Sequence, residues 1–239
     1  MKFVAMIPAR YSATRFNGKL MQSLAGKPVI TRTYEATRDT GLFDQVIVVT
    51  DSDEIAAEIG KVNGTAVMSR RSHQSGTDRI AEAAEQISCD VIVNVQGDTP
   101  FVKAEPLARV LEQFRDPSVQ VASLMQALTN EHDIADPNFV KVAVDLKNNS
   151  LFFSRSVIPF ARDKNVATVY YEHIGVYGFR KQALLDFSSW PVSPLEAAEK
   201  VECLRYLEHG IPLRMVLVDY MGIEIDTPED LVRAGRLLS

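Results

Sequence analysis

Phe3-Val4-Ala5-Met6-Ile7-Pro8-Ala9-Arg10, continued by Tyr11-Ser12-Ala13-Thr14-Arg15-Phe16-Asn17-Gly18-Lys19, is the stretch from which the fold is read. Residues 3–7 are a short apolar run of strand length that meets a proline. The loop after it carries Arg10, Arg15 and Lys19 within ten positions, with Gly18 beside the lysine. A buried strand running into a cationic loop is how open α/β sheets present an anion site at the carboxyl ends of their strands. A solvated basic loop with no ligand fits this stretch equally well, so the rest of the chain must decide.

Working outward, strands and helices alternate. Residues 28–40 read as a helix with proline in its first turn and Gly41 at its stop. Val46-Ile47-Val48-Val49-Thr50 is a β-branched run expected of a strand covered on both faces. Asp51-Ser52-Asp53 caps a helix that Asn63-Gly64 ends. A short strand at 66–68, a polar loop over 69–76 and a helix at 77–87 follow. The strand at 90–95 then leads into Gln96-Gly97-Asp98-Thr99-Pro100, and a helix covers 105–115. This rhythm predicts an α/β fold with a mixed, mostly parallel sheet flanked by helices. Past residue 117 strands are expected at 119–125, 140–144, 151–153, 171–179 and 213–218, several of them antiparallel, with helices at 194–209 and 227–238. One domain over 1–239 is expected, with a nucleotide-binding half (1–117) and a second half (118–239).

At 239 residues the chain is long enough for a full core without covalent staples. Its two cysteines, Cys89 and Cys203, form no CxxC or His/Cys cluster, which fits a reducing cytoplasm. The apolar run at 3–7 is too short for a signal-peptide core, and no run approaches a membrane span, so no membrane insertion is expected. The net charge of −5, with no basic block, argues against nucleic acid as a partner.

Several familiar sites are excluded. Met21 stands where a P-loop ending at Lys27 needs glycine, no GxGxxG follows the first strand, and neither GxSxG nor HExxH occurs. Polar groups at strand ends remain. Asp98 directly follows the 90–95 strand, and Asp226 follows the strand-like Gly222-Ile223-Glu224-Ile225. Two aspartates at neighbouring strand ends can hold Mg²⁺ and leave positions for phosphate. Each also reads as a cap: Asp98 for the turn before Pro100, Asp226 or Thr227 for the last helix. His73-Gln74-Ser75-Gly76-Thr77-Asp78-Arg79 offers hydroxyl and backbone donors to a nucleoside, or an ordinary N-cap at Ser75 or Thr77. Arg155 and Arg162, set among apolar residues, suit a carboxylate. His173, alone on a strand, reads first as a structural group.

Taken together these segments resemble the 3-deoxy-manno-octulosonate (Kdo) cytidylyltransferases over essentially the full length. The match runs through Ile7-Pro8-Ala9-Arg10-Tyr11, Thr14-Arg15, Gly18-Lys19, Thr50-Asp51, the 73–79 loop, Asn94-Val95-Gln96-Gly97-Asp98, Phe153-Ser154-Arg155, Ile158-Pro159, His173-Ile174-Gly175-Val176-Tyr177, Ser193-Pro194-Leu195-Glu196 and Asp226-Thr227-Pro228-Glu229-Asp230. The resemblance implies the nucleotide-diphospho-sugar transferase fold, a homodimer, and transfer of CMP from CTP to Kdo for lipopolysaccharide biosynthesis, with release of pyrophosphate. It implies Mg²⁺ on Asp98 and Asp226, and a triphosphate neutralised by Arg10, Arg15 and Lys19. Cytidine would be received by Pro8, Ala9, Arg10, Ser75, Gly76, Arg79 and Gln96. Arg155, Arg162, His173, Tyr177, Glu202 and Arg205 are its candidates for the sugar acid. The chain departs from the pattern at Asn17 and Leu20, where prolines flank Gly18-Lys19, at Thr99, where an acid follows the aspartate, and at Cys203 beside Glu202. Those departures keep open another acceptor, such as 8-amino-Kdo or a sialic-type acid, and a nucleotide-binding homologue without turnover.

Overall fold

The computed structural model describes residues 1–11, 16, 18–73, 75–163, 165–219 and 224–238. The chain packs as two compact units, Met1–Ala108 with Met221–Ser239, and Arg109–Tyr220.

The first unit opens with β1 (Phe3–Ala9), a 3₁₀ turn at Lys19–Met21, and a small ribbon of β2 (Ser23–Leu24) and β3 (Lys27–Pro28). Then come α1 (Val29–Asp39), β4 (Gln45–Thr50), α2 (Asp53–Lys61), β5 (Thr65–Met68), α3 (Gly76–Ala84) and β6 (Val91–Asn94). α4 (Ala104–Gln113) carries the chain into the second unit. β1 pairs in parallel with β4 and with β6, and β4 with β5. β1 lies between two strands with helices α1 and α3 against it, so Val4, Ala5, Met6 and Ile7 are wholly buried. That burial is why its sequence is apolar without alternation. Ser52 caps α2 by accepting from the Ile55 N–H at 3.3 Å, and Ser75 caps α3 through Asp78 N–H at 3.1 Å.

The second unit holds β7 (Val121–Leu128), α5 (Glu131–Ala135), β8 (Lys141–Val144), β9 (Ser150–Ser154) and β10 (Tyr170–Arg180). They are followed by α6 (Lys181–Ser189), α7 (Pro194–Glu199), α8 (Leu204–Glu208) and β11 (Arg214–Leu217). β7 pairs antiparallel with β10 and parallel with β11, while β8 lies antiparallel to β10 and β9. Finally α9 (Pro228–Arg236) belongs to the first unit, so the C-terminal stretch packs with the N-terminal strands rather than with the half it follows. The architecture is the expected α/β fold with a mixed sheet, all-parallel within the first unit.

Three local expectations change. The helix read over 194–209 is two short helices, because Lys200 takes a left-handed conformation (φ 55°) between them. α6, with Ala183, Leu184 and Phe187 turned inward, was not anticipated from the sequence. Glu224 and Ile225 form no strand; Gly222 and Ile223 lie outside the described residues.

Candidate active site

β1 delivers Pro8 and Ala9, both buried, to its carboxyl end, and Arg10 emerges exposed. Two glycines let other segments close on Pro8. A Cβ at Gly97 would lie 3.0 Å from the Pro8 carbonyl oxygen, and one at Gly76 would lie 3.0 Å from Pro8 Cγ. The loop after β6 and the start of α3 therefore converge on the end of β1 because both positions lack a side chain.

The cationic loop returns to the same place. Gly18, at φ 67°, donates its N–H to Tyr11 O at 3.1 Å and starts the 3₁₀ turn. Leu20, one of the departures from the family pattern, is buried and anchors that turn by packing. Arg15 and Asn17 lie outside the described residues.

Lys19 is the centre of the cluster. Its ammonium donates to the Asp98 carboxylate and to Asp226 Oδ1, the latter at 3.0 Å. Side-chain exposures of 15% for Lys19, 20% for Asp98 and 36% for Asp226 keep the group partly screened from water. Burial pushes the Lys19 ammonium down, but Asp98 and then Asp226 outweigh it and hold it above the usual lysine range. The lysine therefore stays charged between two carboxylates.

Backbone contacts set both aspartates. Thr99, another departure, is buried, and its hydroxyl and N–H both donate to Gln96 O, closing the turn that presents Asp98. Ile225 N–H donates to Asp98 O at 2.9 Å and ties the two acid-bearing segments together. The sequence left the last cap open between Asp226 and Thr227. Thr227 takes it, in a capping box with Asp230, and Asp226 turns its carboxylate to Lys19.

No group of three or more His, Cys, Asp or Glu gathers into a metal-binding set among the described residues. The donor set nevertheless fits Mg²⁺. Two carboxylates already converge on one cation, and Mg²⁺ bound with phosphate takes only one or two protein carboxylates, keeping water and phosphate for the rest.

Other expected nucleotide residues divide into two kinds. Ser75 and Gly76 stand at the start of α3, the end of a helix that suits an anion or a nucleoside, and Gln96 is half-buried beside Gly97. Arg79 is different. It is buried, with its guanidinium donating to Ser69 Oγ and Asp51 Oδ2, each at 2.7 Å. It braces the ends of β4 and β5 against α3.

In the second unit the expected sugar-acid residues also separate. Arg162 is exposed and Glu202 half-buried. Arg155 donates from Nε to Glu199 O at 2.7 Å and from Nη1 to Pro137 O at 2.8 Å. His173 contacts Ser123 Oγ at 3.1 Å and lies between the rings of Phe153 and Tyr177. Burial lowers its pKa to about 4, so the imidazole is neutral near pH 7. Arg205 does not have the placement of a substrate ligand. It is 4% exposed, pairs with Glu196 through Nε at 2.7 Å and Nη2 at 2.6 Å, donates to Phe187 O at 3.0 Å and covers the Phe187 ring. Its donors face protein groups. Cys203 is buried, and burial raises its thiol well above the ordinary value, which leaves it unreactive.

Sequence reasoning missed one buried cation. Lys141, on β8, is fully enclosed, donates to Asp136 O at 2.9 Å and sits opposite Glu172 on β10. Burial lowers the lysine and raises Glu172. A lysine inside an otherwise apolar strand, Val140-Lys141-Val142, was the available signal.

Comparison with known proteins follows the geometry. The family model described as cytidylyltransferase matches residues 4–217. The 3-deoxy-manno-octulosonate cytidylyltransferase of Flavobacterium johnsoniae is 56% identical, covering 100% of this chain and 99% of its own. The protein of the same name from Christiangramia forsetii is 50% identical, over 100% and 97%. Among solved structures, a CMP:2-keto-3-deoxy-manno-octonic acid synthetase complexed with CTP superposes with a TM-score of 0.95 at 36% identity, covering 100% of this chain and 98% of that one. A 4-diphosphocytidyl-2C-methyl-D-erythritol synthase from Anaerococcus prevotii, at TM-score 0.65 and 16% identity, shares the fold, covering 99% and 98%.

Proposed function

The chain belongs to the cytidylyltransferase family, and from that premise we propose that it transfers CMP from CTP to Kdo, giving CMP-Kdo and pyrophosphate. The observation that carries this reading is the meeting of Asp98, Asp226 and Lys19 beside the end of β1. The full-length likeness to proteins named for this reaction supplies the substrates.

The anomeric hydroxyl of Kdo attacks the α-phosphorus of CTP and gives up its proton to water, while the bond from the α-phosphorus to the bridging oxygen breaks and pyrophosphate leaves. Such transfers need charge stabilisation and alignment more than covalent help. Arg10, Arg15 and Lys19 neutralise the triphosphate, whose negative charge grows on the leaving pyrophosphate. Pro8, Ala9, Ser75, Gly76 and Gln96 receive the nucleoside, and Arg79 keeps that rim in place from behind. Asp98 and Asp226 would hold Mg²⁺, which would supply further positive charge for the triphosphate. Recognition of the sugar acid is assigned to Arg155, Arg162, Tyr177 and Glu202, with neutral His173 as a hydrogen-bonding rather than a charged partner.

The finer readings follow the same premise. A homodimer is supported by Val157, Phe160, Val166 and Val169, apolar side chains exposed within 157–169. A cytoplasmic setting is supported by two cysteines that form no disulfide. No described helix is long and apolar enough to cross a membrane. The test is pyrophosphate release from CTP with Mg²⁺ over a panel of Kdo, 8-amino-Kdo and sialic acid. Kdo is expected to be the preferred acceptor; turnover of sialic acid alone would overturn the assignment.

A further inference from the structure

The place between Asp98 and Asp226 is held by the chain's own cation. Resting on the reading that these aspartates take a divalent ion, we infer that Lys19 is a built-in counter-ion, which keeps the two carboxylates converged in the metal-free protein and is displaced towards the nucleotide phosphates when the ion enters.

The geometry makes the two occupants exclusive. Lys19 Nζ reaches an oxygen of each carboxylate, 3.0 Å from Asp226 Oδ1. A divalent ion on the same oxygens would stand a few ångströms from an ammonium in a partly buried site, where repulsion is weakly screened. Without any cation there, two carboxylates would repel each other.

The movable part is also evident. The Lys19 backbone is held by the 3₁₀ turn, with Leu20 buried and Gly18 bonded to Tyr11. Asp98 is held by the Gln96–Thr99 turn and by Ile225 N–H. The four-carbon lysine stem can swing with neither backbone moving. Phosphate oxygens that attract the ammonium would vacate the carboxylates, so nucleotide and ion assist each other, and by linkage the assistance is reciprocal.

Binding of Mn²⁺ to the full-length protein without nucleotide, followed by the electron paramagnetic resonance of the free ion, tests this. Lys19→Met is expected to tighten Mn²⁺ by about tenfold or more, since it removes both competitor and repulsion. Lys19→Gln, which keeps a donor for the aspartates, serves as the second variant and is expected to do the same. Arg10→Met, at an exposed cation just after β1 with no ion pair to either aspartate among the described residues, should change the affinity less than about threefold. Unchanged or weaker Mn²⁺ binding in both lysine variants overturns the inference. Equal tightening by Arg10→Met overturns it too, by tracing the effect to the general field. Asp98→Asn separates the premise: undiminished Mn²⁺ binding in that variant removes the metal site itself, whereas weakened binding there with inert lysine variants removes only the role of Lys19.

Discussion

Replacing Arg205 by methionine should destabilise the protein while leaving substrate binding nearly unchanged. The guanidinium makes two charge-assisted bonds to Glu196, donates to the Phe187 and Trp190 carbonyls at 3.0 and 3.3 Å, and lies 3.9 Å from the Phe187 ring centroid. Methionine keeps much of the stem's packing but leaves Glu196, whose side chain is 9% exposed, as a charge without its partner. Breaking one side of such a buried pair costs about 3–5 kcal/mol. At roughly 2–4 °C per kcal/mol for a chain of this size, the melting temperature should fall by roughly 6–20 °C. Arg205→Met combined with Glu196→Gln should recover a large part of that loss, because glutamine removes the stranded charge and still accepts from Ser193 N–H. Calorimetry of the wild type, both single variants and the double variant measures the coupling. KM for the sugar acid, measured well below the transition, should stay within about twofold, since the lost interactions do not face a ligand. A melting temperature within about 2 °C of wild type together with a tenfold rise in that KM would refute the structural assignment.

Two further outcomes follow from individual contacts. Gly97→Ala puts a Cβ 3.0 Å from the Pro8 carbonyl oxygen, a backbone atom that cannot turn aside, so stability should drop by about 1–3 kcal/mol and kcat/KM should fall with it; a wild-type melt and wild-type kinetics would contradict the close approach. His173, with a pKa of about 4 in the folded protein against 6.5 unfolded, contributes stability that is complete above pH 6.5 and lost as pH falls towards 4. The loss is on the order of 3 kcal/mol, and a His173→Gln variant should show a correspondingly flatter melting profile between pH 6.5 and 4.

How far the sequence could be read depends on how local the cause was. β1, β4 and β6 were legible because strands covered on both faces must be apolar without interruption, and Val46-Ile47-Val48-Val49 admits little else. Asp98 was legible because it follows such a strand directly. Asp226 was recognisable as a candidate, but its meeting with Lys19, 207 positions earlier, depends on the C-terminal stretch returning to the first unit, which no local pattern announces. Arg79 and Arg205 were legible as residues of their motifs, but their neighbours in space were not: Asp51 and Ser69 in one case and Glu196 in the other. The break at Lys200 escaped because a left-handed residue without glycine leaves no compositional mark.

The account's central claim is that Asp98 and Asp226 act as one unit, and the pyrophosphate-release rate of Asp98→Asn, Asp226→Asn and the double variant tests it most directly. Residues that hold one charge between them are not additive, so either single variant should lose about as much activity as the double, on the order of 10²-fold or more. An Asp226→Asn enzyme that retains the wild-type rate, or two losses that simply multiply in the double variant, would contradict it.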